Sequence, residues 1–112
     1  MITNSASPSG AGDPLREKYD ALAKQHAAAS ATAPPYTIQF ELVCETASLT
    51  KALTAAGNSE KLWFAPLAYH GRSCYRVFWG HYATAAEARN AVAEMPAALR
   101  SGTTPVAVHT PQ

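Results

Sequence analysis

The residues of this 112-residue chain that could carry chemistry are two cysteines, four histidines and a set of polar and aromatic side chains on alternating segments. Cys44 and Cys74 lie 30 positions apart and form no close CxxC pair, whereas a zinc site needs four ligands and usually shows such pairs. They are either two packed thiols or the halves of a disulfide. His26, His70, His81 and His109 show no i,i+4 pairing and no shared motif with acids or cysteines. No GxSxG, P-loop or GxGxxG run is present, and neither cysteine has a neighbouring base that would make it a nucleophile. No catalytic residue, metal site or cofactor is therefore expected, and enzymatic activity has no support in the sequence.

Gln39, Glu41, Arg76 and Phe78, with Trp63 and Tyr69 beside them, belong to a different chemistry. Sugars are held by planar groups stacking on their apolar faces and by polar side chains that meet hydroxyls and amides in pairs. Gln39, Arg76 and Phe78 supply that combination if one surface carries them. The bland alternative is a polar cross-strand pair on a solvated sheet, such as Arg76 with Glu41.

The elements that must position them read clearly. Residues 36–43 (YTIQFELV) alternate apolar and polar, the period of a half-buried strand. Leu49, Ala52, Leu53 and Ala56 then share a helical face over residues 46–56, with Thr46 as cap and Gly57 as stop. Residues 62–69 (LWFAPLAY) form a second strand, and Pro66 suits a sheet edge. His70-Gly71-Arg72 signals a hairpin, and residues 73–79 (SCYRVFW) form the third strand. A capping box, Thr84-Ala85-Ala86-Glu87, opens another helix that Pro96 should kink or split before Arg100. Residues 105–109 (PVAVH) are a short fourth strand.

The N-terminal third is different. Residues 1–12 read as a flexible leader rich in Ser, Ala, Gly and Pro. Asp13-Pro14 marks a helix start, and residues 14–29 carry only a thin apolar stripe of Leu15, Tyr19 and Leu22. A transient or loosely docked helix is expected there. Residues 30–35 then close a leader and linker that spans 1–35.

The order β-α-β-β-α-β implies an α+β ferredoxin-like split sandwich over residues 36–110. Its four-stranded antiparallel sheet would run 4-1-3-2, with two helices on one face and the other face open. Tyr75, Val77 and Trp79 would face the helices, and Arg76, Phe78, Gln39 and Glu41 the open side. A two- or four-residue hairpin turn puts Trp63, Leu67 and Tyr69 on the open side as well, and a three-residue turn does the reverse. The same layout sets the end of the first strand beside the start of the third. At about 4.8 Å between strands, Cys44 and Cys74 are in reach of a disulfide, provided that a bulge near Val43 turns Cys44 outward.

Charge narrows the partners. From Tyr36 onward six Lys/Arg stand against five Asp/Glu, so the basic excess that phosphate binding demands is missing. Nucleic acid, including single-stranded RNA on an open sheet, is not expected. No apolar run approaches the roughly 20 residues of a membrane span, and the first residues lack the features of a signal peptide.

The run Cys74-Tyr75-Arg76-Val77-Phe78-Trp79-Gly80-His81-Tyr82-Ala83-Thr84, then Ala86-Glu87-Ala88, resembles the signature of the SPOR family. Tyr36-Thr37-Ile38-Gln39-Phe40 is similar to that family's opening strand. The resemblance covers about 74 residues with both parts in order. It departs at Glu41 and Leu42, where small residues are usual, and at Cys74, where Trp is frequent. The resemblance implies a non-catalytic module that recognises peptidoglycan glycan strands stripped of stem peptides. Such modules sit in the periplasm or cell envelope, commonly at division septa, on a flexible linker. Residues 1–35 would fit such a linker before an excised C-terminal domain. A monomer that meets cell-division or envelope proteins is the expected context. The departures leave open a protein-interaction domain that has kept the fold and lost the sugar.

Overall fold

The computed structural model describes residues 14–111; the leader expected over residues 1–12 and the Asp13 cap lie outside the described residues. The elements are α1 (Pro14–Ser30), β1 (Tyr36–Val43), α2 (Thr46–Ala55), β2 (Leu62–Tyr69), β3 (Arg72–Tyr82), α3 (Ala85–Ala91), a 3-10 turn (Val92–Glu94), α4 (Ala97–Arg100) and β4 (Val106–His109). The four strands form one antiparallel sheet in the order β2-β3-β1-β4. β2 and β4 are its edges, as Pro66 in β2 required.

Local chemistry accounts for the boundaries. Thr84 Oγ1 accepts from the Glu87 N–H at 3.1 Å, satisfying one of the orphan donors at the start of α3. Pro96 separates the 3-10 turn from α4, the split that its missing N–H imposes. At the end of α2 the Asn58 N–H reaches Leu53 O at 3.2 Å, with Gly57 in the left-handed region at φ 65°. Thr46 is not the cap of α2. Glu45 takes that position, and its carboxylate makes no cap bond because it pairs with Arg72 at 2.6 Å. Both partners are more than half exposed, so the pair adds little stability.

The hairpin between β2 and β3 turns on two residues, His70 and Gly71, both at positive φ. That turn pairs Tyr69 with Arg72 and, further along, Trp63 with Phe78. It therefore settles the facing of β2, with Trp63, Leu67 and Tyr69 on the side of Phe78.

The core lies on the opposite face. Ile38, Phe40, Phe64, Tyr75, Val77 and Trp79 pack there against Leu49 and Ala52 of α2, Ala88 and Ala91 of α3, and Met95 and Leu99. Tyr75, Val77 and Trp79 face the helices as the alternation of β3 requires.

α1 departs from the expectation of a loose helix. Tyr19 and Ala23 are buried in the same core, at 3% and 2% exposure. The Tyr19 ring meets the edge of Phe64, with its hydroxyl 2.6 Å from Thr50 of α2. Polar contacts fix the other end of α1. Arg16 lies over the Tyr75 ring and donates to Ser73 O at 2.9 Å and Cys44 O at 3.3 Å. Asp20 accepts from the Tyr75 hydroxyl at 2.6 Å. Burial first, and then that bond to Asp20, push the Tyr75 hydroxyl up to about 12. The thin apolar stripe is thus supplemented by hydrogen bonds and a cation over a ring.

Two irregularities break the β1–β3 ladder. One extra residue in β3 lies at Gly80–His81, where Gly80 sits at φ 71° and a Cβ would collide with the Tyr82 ring. One extra residue in β1, Phe40, lies between the pairs Gln39↔Phe78 and Glu41↔Val77. The bulge needed to turn Cys44 outward thus occurs three residues before Val43. Beyond it Leu42 faces Arg76, Val43 faces Tyr75, and Cys44 forms a disulfide with Cys74. Glu41 is turned the other way, which corrects its expected place on the open face.

The disulfide closes a loop of 30 residues across the central strand pair. Its loss should lower stability by about 3–4 kcal/mol. Urea denaturation of the oxidised chain, the reduced chain and Cys74→Ser measures this, and alkylation with mass spectrometry should find no free thiol before reduction.

Candidate functional site

Beyond the bulge, the sheet face away from the core arranges its side chains in rows across the strands. Tyr69 and Arg72 form the row at the hairpin. Leu67, Cys74 and Cys44 form the next, followed by Ala65, Arg76 and Leu42. Trp63, Phe78, Gln39 and Val106 form the fourth row across all four strands. The buried side chains of α1, α2 and α3 all belong to the opposite face, while α1 borders the rows at the β2 edge, where Ala23, Lys24 and Ala27 share a cavity with Leu67 and Cys74 and Ser30 reaches His81.

A continuous stack runs through the third and fourth rows. The His81 ring lies on Trp63 with centroids 4.9 Å apart, and Trp63 lies on Phe78 at 4.2 Å. The Arg76 guanidinium covers the Phe78 ring at 5.2 Å. Arg76 Nε and Nη2 both donate to Gln39 Oε1, at 3.1 and 2.7 Å. Trp63 Nε1 donates to Gly80 O at 3.2 Å, and Thr37 Oγ1 donates to the same carbonyl at 2.6 Å. The bulge at Gly80 therefore presents one carbonyl to two buried donors and locks the stack in place. Burial pushes the pKa of His81 down, disfavouring the charged ring on Trp63.

Gln39 and Arg76 are brought together as the alternation of their strands implied, and the partner of Arg76 is the amide rather than Glu41. Among the described residues no carboxylate pairs with Arg76. Phe78 and Trp63 share this face, yet they are 0% and 5% exposed. They form the floor beneath Arg76 and Gln39 instead of an open platform. Tyr69 is exposed at 45% but lies two rows from Arg76, beyond the disulfide, and stacks edge-on against His70. Glu41 lines a cavity with Lys51, Ser48 and Leu99 on the helix side. Its carboxyl is raised by burial there, against the opposing pull of Lys51.

Residues that the sequence reading did not select complete the site. β4 pairs with β1 only as far as Gln39, so its end leaves a notch against the remainder of β1. A cavity of about 470 Å³ opens there, lined by Gln39, Phe40, Glu41 and Leu42 of β1, by Gly102, Thr103 and Thr104, and by Val106 and Val108 of β4, so Glu41 borders the notch as well as the helix-side cavity. Leu42 and Val106, at the walls of the notch, are 36% and 50% exposed. Only the shortness of residues 105–109 beside an eight-residue first strand hinted at this notch.

No group of three or more potential metal ligands exists among the described residues. Among the described residues no helix is long and apolar enough to cross a membrane. Comparison of the chain with protein-family models, with curated proteins and with solved structures finds no match in any of the three.

The geometry separates floor from contact. Phe78→Ala should destabilise the domain by about 3–5 kcal/mol, the cost of emptying a filled core position. Arg76→Ala should cost about 1 kcal/mol or less, because its partner Gln39 is left half-exposed and can turn to water. Urea denaturation midpoints at equal slope make the comparison.

Proposed function

We propose that this chain is a non-catalytic module that binds peptidoglycan glycan strands stripped of stem peptides, through the helix-free face of a ferredoxin-like sheet. The observation that carries the reading is the Arg76–Gln39 pair, fixed on the Phe78–Trp63 floor without a carboxylate partner. Gln39 Oε1 takes two donors of Arg76, so the pair leaves Arg76 Nη1 and the Gln39 amide nitrogen unused. Two donors held side by side on a rigid sheet suit the hydroxyl and N-acetyl oxygens of a glycan. The neighbouring notch offers apolar walls at Leu42 and Val106 and hydroxyls at Thr103 and Thr104, a mixture that matches an amphipathic sugar ring. The SPOR resemblance in Tyr75-Arg76-Val77 and Ile38-Gln39 falls on the same two strands. The disulfide is in keeping with the oxidising periplasm or cell envelope.

A second reading is a protein-interaction domain of the same architecture, binding an envelope or cell-division protein. The exposed Leu42 and Val106 flanking Gln39 and Arg76 favour it, because apolar side chains at that density also suit a peptide.

Cosedimentation with purified sacculi, before and after amidase removal of stem peptides, separates the two. Glycan binding predicts that retention rises after amidase treatment. Arg76→Ala and Gln39→Ala should each weaken it roughly tenfold, the worth of a charge-assisted bond of about 1.5 kcal/mol, while melting temperatures stay near that of the parent. No retention on either kind of sacculus would sink the glycan reading and leave the protein partner.

A further inference from the structure

β2 is the sheet edge on which α1 lies, and its outward backbone groups follow from the hairpin. The two-residue turn makes Tyr69 and Arg72 a bonded pair, so odd-numbered residues of β2 bond to β3. Phe64, Pro66 and Ala68 then turn their backbone groups away from the sheet. Pro66 has no N–H to offer. The Phe64 N–H is taken by a side chain, donating to Nδ1 of His26 at 3.2 Å. The His26 ring also stands edge-on against the Phe64 ring, with centroids 4.7 Å apart.

We infer that His26 is a pH-sensitive latch, holding α1 on the outer edge of β2 while its ring is neutral and releasing it on protonation. Nδ1 accepts the Phe64 N–H only with its lone pair free, so the bound ring carries its proton on Nε2. In the protonated ring both nitrogens are donors, and Nδ1–H would point at the Phe64 N–H. One side chain thus supplies both the hydrogen bond and a ring contact to Phe64, and one proton converts the first into a repulsion.

Among the described residues no carboxylate pairs with the His26 ring. On α1 the residues one turn from His26 are Leu22, Ala23, Ala29 and Ser30, none of them charged. Lys24 and Asp20 line the cavity beside Pro66 and Leu67. Asp20 bonds to Tyr75, and Arg16 covers that same ring, towards the N-terminal end of α1. The only titratable residue of β2 is Tyr69, at the hairpin end. From α2, Thr50 meets Tyr19, while Lys51 acts on Glu41. From β3, His81 Nε2 lies 3.4 Å from Ser30 Oγ, one turn beyond His26. Among the described residues, His81 is the other histidine in contact with this helix.

The sign follows from linkage. Burial holds His26 below its ordinary value in the docked state, and the Phe64 N–H, which only the neutral ring can accept, acts in the same direction. Its contribution to docking is therefore full above the undocked value of about 6.5 and is lost as pH falls towards the docked one. Release would leave the Phe64 N–H as an unpaired donor on the β2 edge, where Pro66 still blocks the pairing of a full strand.

The test is a two-dimensional NMR titration of the oxidised chain from about pH 7.5 to 5, reading the His26 and His81 rings separately. Hydrogen exchange at the Phe64 amide, corrected for its intrinsic pH dependence, is followed alongside. The latch predicts a His26 midpoint below 6.5 and a Phe64 opening equilibrium that rises with it, about tenfold per pH unit of depression. His26→Asn places an uncharged acceptor near the Nδ1 position and should keep Phe64 protected across the range, whereas His81→Asn should leave the step in place. Phe64 protection that ignores the His26 titration overturns the inference, as does a step that persists in His26→Asn or disappears in His81→Asn. The parent titration stands without the variants if either fails to fold.

Discussion

One unpaired residue in β1 governs what this protein presents. With Phe40 inserted between the pairs Gln39↔Phe78 and Glu41↔Val77, the strand changes the parity of everything that follows. Gln39 before the bulge and Leu42 after it both reach the helix-free face, while Phe40 stays in the core. Cys44 then lies on the side of Cys74 and the disulfide closes. In a regular ladder Glu41 would stand opposite Arg76 as an ordinary ion pair, and Leu42 would be lost inward. The bulge removes the acid, and Arg76 turns to the Gln39 amide. Among the described residues no carboxylate pairs with it, and its neighbours on the face are the Phe78 ring, the Gln39 amide and the apolar Leu42.

The second ladder irregularity does complementary work from the other strand. At Gly80 the left-handed backbone aims its carbonyl at Trp63 Nε1 and Thr37 Oγ1. Those bonds satisfy donors that burial would otherwise leave unpaired. The cost of burying Trp63 and Phe78 away from the main core is thereby met by packing on one another and on Arg76. The result is a second, thinner apolar layer on a face usually left to solvent. It makes the polar pair above it rigid, which reduces the ordering cost of any ligand that uses it.

Much of this architecture was legible in the residues. Period-two alternation located β1 and β3, the capping box located α3, and Pro66 identified an edge strand. Facing along β3 followed from alternation alone, and so did the meeting of Gln39 and Arg76. Glu41 escaped because a bulge of one residue leaves no mark in an alternating run whose extra residue is itself apolar. The burial of Phe78 escaped because it depends on Trp63 arriving from another strand, and that depended on whether the hairpin turned on two residues or three. α1 escaped for a different reason. Its docking rests on Arg16, Asp20 and His26 meeting groups 38 to 57 positions away, and such contacts carry no periodic signal. The notch beside β4 depends on where a short strand stops, the least reliable boundary that a sequence offers.

The central claim is that these two irregularities assemble a single rigid contact surface around Arg76. The most direct measurement is chemical-shift mapping of the isotope-labelled chain with soluble, peptide-free glycan fragments from peptidoglycan. The account predicts perturbations centred on Gln39, Leu42, Arg76 and Val106, continuous across β3, β1 and β4, with α2 and α3 unmoved. Perturbations confined to the α1–β2 cavity, or scattered over the helical face, would contradict it.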